Sequence, residues 1–278
     1  MGSERITTGI SISLFFLLPK KIFIHTIYIE NNEEERPVSE KKIENILSID
    51  MDYILSPCIN LYNDLVHAYT PPEKIWDKIA ELRNADKHLS FENEALKYVF
   101  AIFTMALSKL KDKKNVTFAL NHDAILFELA SAKHTEHVFD LYNIDHHHDI
   151  YYNENARLDV DKYNVTTLAN WVWYLDKYNK LNHYYWIHNP NSLFPDKNIK
   201  SKGKMDGYLR DKLQQIYEVE EWDYIFVCNS PHWLPRDYDV FFEMLIDIYQ
   251  NMTGIKIEVN KEIFSPNGLS RNYPYDKN

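Results

Sequence analysis

Residues Val138 to Asp149 read VFDLYNIDHHHD: seven mostly apolar, β-prone residues, followed without a break by Asp145, His146, His147, His148 and Asp149. A short apolar run bounded by polar residues predicts a buried strand. Successive side chains on a strand point to opposite faces. Asp145, His147 and Asp149 are therefore expected to point together, with His146 and His148 turned towards packing or towards holding the others in place. A solvated turn or helix cap would explain any one of these residues, but it explains the whole run poorly.

Three other apolar segments end in the same manner. Ile46 to Tyr53 (ILSIDMDY) carries Asp50 and Asp52 near its end, again two apart. Val116 to Leu120 (VTFAL) runs into Asn121, His122 and Asp123, and Tyr224 to Cys228 (YIFVC) runs into Asn229, Ser230, Pro231, His232 and Trp233. Helical spacing is expected over Pro72 to Asn84, Phe91 to Leu110, Ala124 to Ala132, Val165 to Tyr178 and Val240 to Asn251. Tyr184 to His188 and Lys256 to Val259 are expected strands. Strands separated by helices predict a three-layer α/β/α domain around a mostly parallel sheet. Open sheets of this kind bind ligands beyond the carboxyl ends of their strands, so the four clusters are expected to converge on one site.

Composition narrows the function classes. Among 278 residues, 41 are acidic and 31 basic, a formal charge of -10 that argues against a nucleic-acid backbone as partner. Six glycines leave no glycine-rich phosphate loop. Two cysteines, Cys58 and Cys228, make a disulfide framework or Cys-rich zinc site improbable and suggest a reducing, cytoplasmic setting. The apolar run Ile10 to Leu18 is too short to span a bilayer and no small-x-small cleavage site follows it, so no membrane partner is expected. The charged stretch Asn31 to Glu40 separates that run from the first motif. Residues 1–40 are accordingly read as an N-terminal extension and 41–278 as the folded domain. The competing expectation is that Ile22 to Ile29 adds a strand to the sheet.

Carboxylates crowded at one edge repel unless cations neutralise them. Mixed carboxylate and imidazole donors suit manganese, iron or zinc. Two ions held by shared carboxylates would acidify a water between them, which points to hydrolysis at a polarised carbon or phosphorus centre.

Asp145-x-His147-x-Asp149 after a strand, Ser48-x-Asp50-x-Asp52 at the end of another and His122 at a third resemble the metal-binding set of the arginase and agmatinase ureohydrolases. The order of the motifs differs from arginase itself. The Ile49 to Tyr53 strand, the Asn170-Trp171 pair and Ser230-Pro231-x-Trp233-x-Pro235 look more like a divergent branch that includes the peptide arginases. The resemblance spans roughly residues 45–250 and implies two Mn2+ ions. Asp50 and Asp145 would bridge them, His122 and Asp149 would complete one site, and His147 and Asp52 the other. It implies a peptide or small guanidino substrate, with arginine converted to ornithine and urea released, and with Asn170, Trp171, Asn229 and Ser230 near the substrate.

The chain departs from that family at the glutamate that grips the guanidinium. The equivalent strand ends at Asn229-Ser230-Pro231-His232, and Glu258 matches by local pattern only. His183, His188 and His232 are candidates for a proton-shuttling imidazole, with His232 and His183 taken as the catalytic pair. Trp171, Trp173, Tyr174, Tyr184, Tyr185 and Trp186 are expected to build the core and its rim, or else to line a peptide groove. Ile144 to His147 also resembles the Asp-His-His signature of manganese phosphoesterases, and Ile49 to Asp52 the aspartyl motif of haloacid-dehalogenase-like phosphatases. Neither alternative uses all four strand ends. A binding protein that keeps the fold without catalysis is the remaining alternative.

Overall fold

Strand β3 (Ile43–Asp50) runs through the middle of the molecule, and from Ile46 onward it is buried on both faces. That is the signature of an interior parallel strand covered on each side. A computed structural model describes residues 10–15, 24–29, 41–56, 90–91, 93–129, 136–152, 154–190, 192, 213–231, 233–234 and 238–257. Around β3 lies a five-stranded, all-parallel sheet. It comprises β6 (Val116–Ala119), β7 (Val138–Asp145), β8 (Leu181–His188) and β9 (Tyr224–Cys228), in the order β6-β9-β3-β7-β8.

Alternation along β3 divides the core in two. Leu47 and Ile49 face α1 (Asn93–Ser108) and α6 (Asp239–Thr253), where Val99, Ile102, Phe103, Phe242 and Leu245 pack. Ile46 faces the opposite way, towards α2 (Ile125–Leu129), α3 (Glu154–Tyr163) and α4 (Trp171–Lys177), with Leu126, Val160, Trp171 and Leu175. The short helix α5 (Leu213–Glu218) adds Ile216 to the first cluster. Helix α6 ends at Gly254, whose φ of 72° suits a residue without a Cβ and whose N–H reaches the Gln250 carbonyl at 2.9 Å. The α/β architecture with helices on both faces is thus the one expected from the strand-helix alternation.

Several boundaries differ from expectation. β3 stops at Asp50, and Met51–Ile54 form a 3-10 turn, because the Asp50 carboxylate accepts the Asp52 N–H at 3.0 Å and closes the chain on itself. The helix expected over Val165 to Tyr178 is shorter, Trp171–Lys177, and is preceded by a separate α3. Lys256 and Ile257 are not strand, and the remainder of that expected strand lies outside the described residues, as does the helix expected over Pro72 to Asn84. Near the N-terminus, β1 (Ile10–Phe15) and β2 (Ile24–Ile29) pair antiparallel in a sheet of their own, so β2 is not a strand of the parallel sheet. Two further short strands, β4 (Leu55–Ser56) and β5 (Ser90–Phe91), make a second small pair.

Candidate metal centre

Parallel pairing sets the depth at which each cluster emerges. Asp50 is level with Cys228 on β9, which is level with Ala119 on β6. Ile49 is level with Ile144 on β7, and Asp145 is level with His188 on β8. The polar residues that follow these positions therefore leave the sheet along one edge.

Six side chains meet there. Asp50, Asp52, His122, Asp145 and Asp149 are buried, and the His147 side chain is 13% exposed. His122 Nδ1 lies 3.2 Å from Asp50 Oδ2, 3.0 Å from Asp145 Oδ2 and 3.1 Å from Asp149 Oδ2. His147 Nδ1 lies 2.8 Å from Asp52 Oδ2 and 3.8 Å from Asp145 Oδ1. Two groups have ligand atoms mutually within 4.8 Å: Asp50, His122 and Asp145, and Asp52, Asp145 and His147. Asp145 belongs to both, turning one oxygen to each imidazole. Asp50, expected as a second bridge, belongs to the His122 group; its Oδ1 is engaged by the Asp52 N–H.

The supporting bonds are specific. Ser48 Oγ is 2.6 Å from His122 Nε2, leaving Nδ1 to face the carboxylates. Asn143 Nδ2 donates to Asp145 Oδ2 and the His147 N–H to Asp145 Oδ1. The Trp186 indole donates to the Asp145 carbonyl. The His146 N–H donates to Asp52 Oδ1, and the Trp171 indole N–H to Asp149 Oδ2 at 2.7 Å. The rings of Trp171 and Phe226 both pack near that of His122, at 4.7 and 5.8 Å between centroids.

Asp145, His147 and Asp149 do come together, but not through strand alternation, because β7 ends at Asp145. Asp149 adopts φ 48° and its carbonyl accepts the Val172 N–H, so a turn, rather than an extended chain, brings it back. Left-handed conformations at residues with a Cβ are uncommon and gather at functional sites. His146 and His148 stand apart from the carboxylates. His148 Nδ1 accepts the Ile150 N–H, and its ring lies tilted against that of Tyr152, 4.2 Å between centroids. Burial and then His147 push both His146 and His148 down to about 3, so both are neutral.

Charge at the centre is unbalanced. Among the described residues no lysine or arginine pairs with any of the four carboxylates. Burial, reinforced by Asp50 and Asp145, holds the Asp52 carboxyl well above the usual range. Burial and Asp145 do the same to Asp149. Burial opposes ionisation of Asp145 too, but the His122 hydrogen bond and charge outweigh it and hold that carboxyl low. His122 Nδ1 and Asp52 Oδ2 are buried and make no well-directed hydrogen bond despite these short approaches. One imidazole proton cannot serve three carboxylate oxygens. A divalent cation can, and the mixed oxygen and nitrogen donors fit one of the manganese, iron and zinc group.

No family model, curated protein or solved structure matches the chain.

The other expected site residues are placed as follows. Asn170 is buried, taking the Thr167 N–H on Oδ1 and donating Nδ2 to the Ala156 carbonyl, and Trp171 is buried against His122. Their polar atoms hold the α3-α4 turn and Asp149, rather than a substrate. Asn229 and Ser230 are buried at the end of β9, with Ser230 at φ 55°. His183 is a correction. It sits at the opposite end of β8, beside Asp140, with a side chain 57% exposed. Five residue steps along the strand, roughly 16 Å, separate it from His188 at the site edge. His232 and Glu258 lie outside the described residues. Asn143 was missed; an Asn two residues before Asp145 inside an apolar strand was the available signal.

Proposed function

We propose that the chain is a manganese-dependent hydrolase of carbon–nitrogen bonds, acting on a guanidinium group to release urea, with an arginine-containing peptide or a small guanidino compound as substrate. The observation that carries this reading is Asp145, whose single carboxylate is shared by two triads of donors, all buried except His147. Asp50, His122, Asp145 and Asp149 would hold one ion, and Asp52, Asp145 and His147 the other. When bound, such a pair supplies an acidified water and Lewis-acid polarisation.

The chain's own residues supply the remaining functions. Ser48 and Trp171 orient His122 and Asp149. Proton handling falls to His188 rather than His183. His188 Nδ1 gives its hydrogen to the Asn189 carbonyl at 2.8 Å, which fixes the ring's tautomer, and the residue is level with Asp145. Trp233, with its ring 4.2 Å from that of His147, offers an apolar surface to the carbon skeleton of a substrate. The chain's formal charge of -10 suits a cationic substrate.

The test is urea release by manganese-loaded protein from arginine and from arginine-containing peptides. Turnover that disappears on chelation supports the reading. Manganese-loaded protein that instead cleaves phosphate esters and leaves guanidines intact overturns it.

A further inference from the structure

Buried polar atoms without hydrogen-bond partners are rare in folded proteins, and each one calls for an explanation. Here several gather at the carboxyl edge of the sheet. Two of them are amide oxygens on neighbouring strand ends, Asn121 Oδ1 beyond β6 and Asn229 Oδ1 beyond β9. The two loops are laced together, because the Asn229 and Ser230 N–H groups donate to the Ala119 and Leu120 carbonyls, each at 2.9 Å. Asn121 immediately precedes His122 and occupies the N-cap of its 3-10 turn, yet makes no capping bond. Asn229 is one residue beyond Cys228, which is level with Asp50. Both residues therefore leave the sheet at the edge that carries the metal centre.

The orientation of Asn229 is fixed chemically. Its Nδ2 donates to Asp239 Oδ1 at 2.8 Å, and a carboxylate oxygen can only accept there. The oxygen of the amide is thus the atom without a partner, in a residue only 1% exposed. A buried acceptor left unpaired is costly. Two such acceptors complement a group that carries several N–H bonds and no acceptor.

We propose that Asn121 and Asn229 form a neutral acceptor pair that takes the N–H groups of a guanidinium substrate beside the metal centre. This rests on the hydrolase reading above and supplies a substrate contact where the strand that runs into Asn229 carries no glutamate. Because the acceptors carry no charge, selectivity comes from hydrogen-bond direction. Arginine, whose end group only donates, is favoured over citrulline, whose end group places a carbonyl oxygen where arginine has an N–H.

The experiment is calorimetric binding of L-arginine and L-citrulline to manganese-loaded full-length protein, in wild type, Asn229→Ala and Asn121→Ala, with metal content measured in each. Arginine is expected to bind wild type more tightly than citrulline. In Asn229→Ala its affinity should fall about tenfold or more, with citrulline little changed and manganese content as in wild type. A variant with a purely structural fault would lose both ligands alike. If Asn229→Ala fails to fold, Asn121→Ala is expected to narrow the same arginine-to-citrulline ratio. An unchanged ratio in the folded variants overturns the acceptor pair and leaves the hydrolase reading standing. Wild type that holds manganese and binds neither ligand overturns both.

Discussion

Ser48 Oγ sits 2.6 Å from His122 Nε2, with both side chains buried. A histidine that ligates a metal through one nitrogen is commonly held through the other. This bond turns His122 Nδ1 towards Asp50, Asp145 and Asp149. Ser48→Ala is expected to weaken manganese binding about 10–100-fold with circular dichroism unchanged. Titration of the metal-free variant with manganese measures it, and wild-type affinity would show that Ser48 is only a packing residue.

Asp145 and Asp52 should differ in how many ions they govern. Asp145 belongs to both ligand groups and Asp52 to one. Asp145→Ala is expected to lose both ions, and Asp52→Ala to keep one, as measured by elemental analysis of purified protein. Full metal content in Asp145→Ala would contradict the shared carboxylate.

The histidine run should divide by role. His147→Ala removes a donor 2.8 Å from Asp52 and is expected to abolish most turnover and one ion. His148→Ala leaves the buried Ile150 N–H without its acceptor, and is expected to cost about 1–3 kcal/mol of stability with metal retained. Denaturant melts alongside metal analysis distinguish the two. Equal and total loss of metal in both variants would contradict the division.

Much of this arrangement was legible because it followed from strand chemistry. Tyr224–Cys228 was readable to the residue, an apolar run with every side chain buried and polar residues beyond it. The convergence of four strand ends follows from parallel pairing alone. The path of the chain after each strand was not legible. Asp52 and Asp149 reach the centre through a 3-10 turn and a left-handed residue, and neither has a period that can be read from spacing. Helix α3 buries only Val160 fully and packs Ala156 partly against the core, so its apolar stripe is too narrow to read. His183 and His188 looked equivalent as letters, and register with Asp140 and Asp145 is what separates them.

Metal should also stabilise the fold, since the carboxylates repel one another without it. A ligand that binds only the folded state adds about 2.7 kcal/mol at a hundred times its Kd. Manganese is therefore expected to raise the melting temperature, and chelation to reverse the rise. The Asp145→Ala protein should show no shift at all, and a shift equal to that of wild type would place the ion elsewhere.

The central claim is that these buried carboxylates and imidazoles hold a catalytic pair of ions. It is tested most directly by measuring, on one preparation, the manganese content of the purified protein and its release of urea from an arginine-containing peptide. The account predicts about two manganese ions per chain and urea release that is lost on chelation and restored by manganese. Protein that is folded, binds no divalent metal when supplied with it and releases no urea would contradict the account.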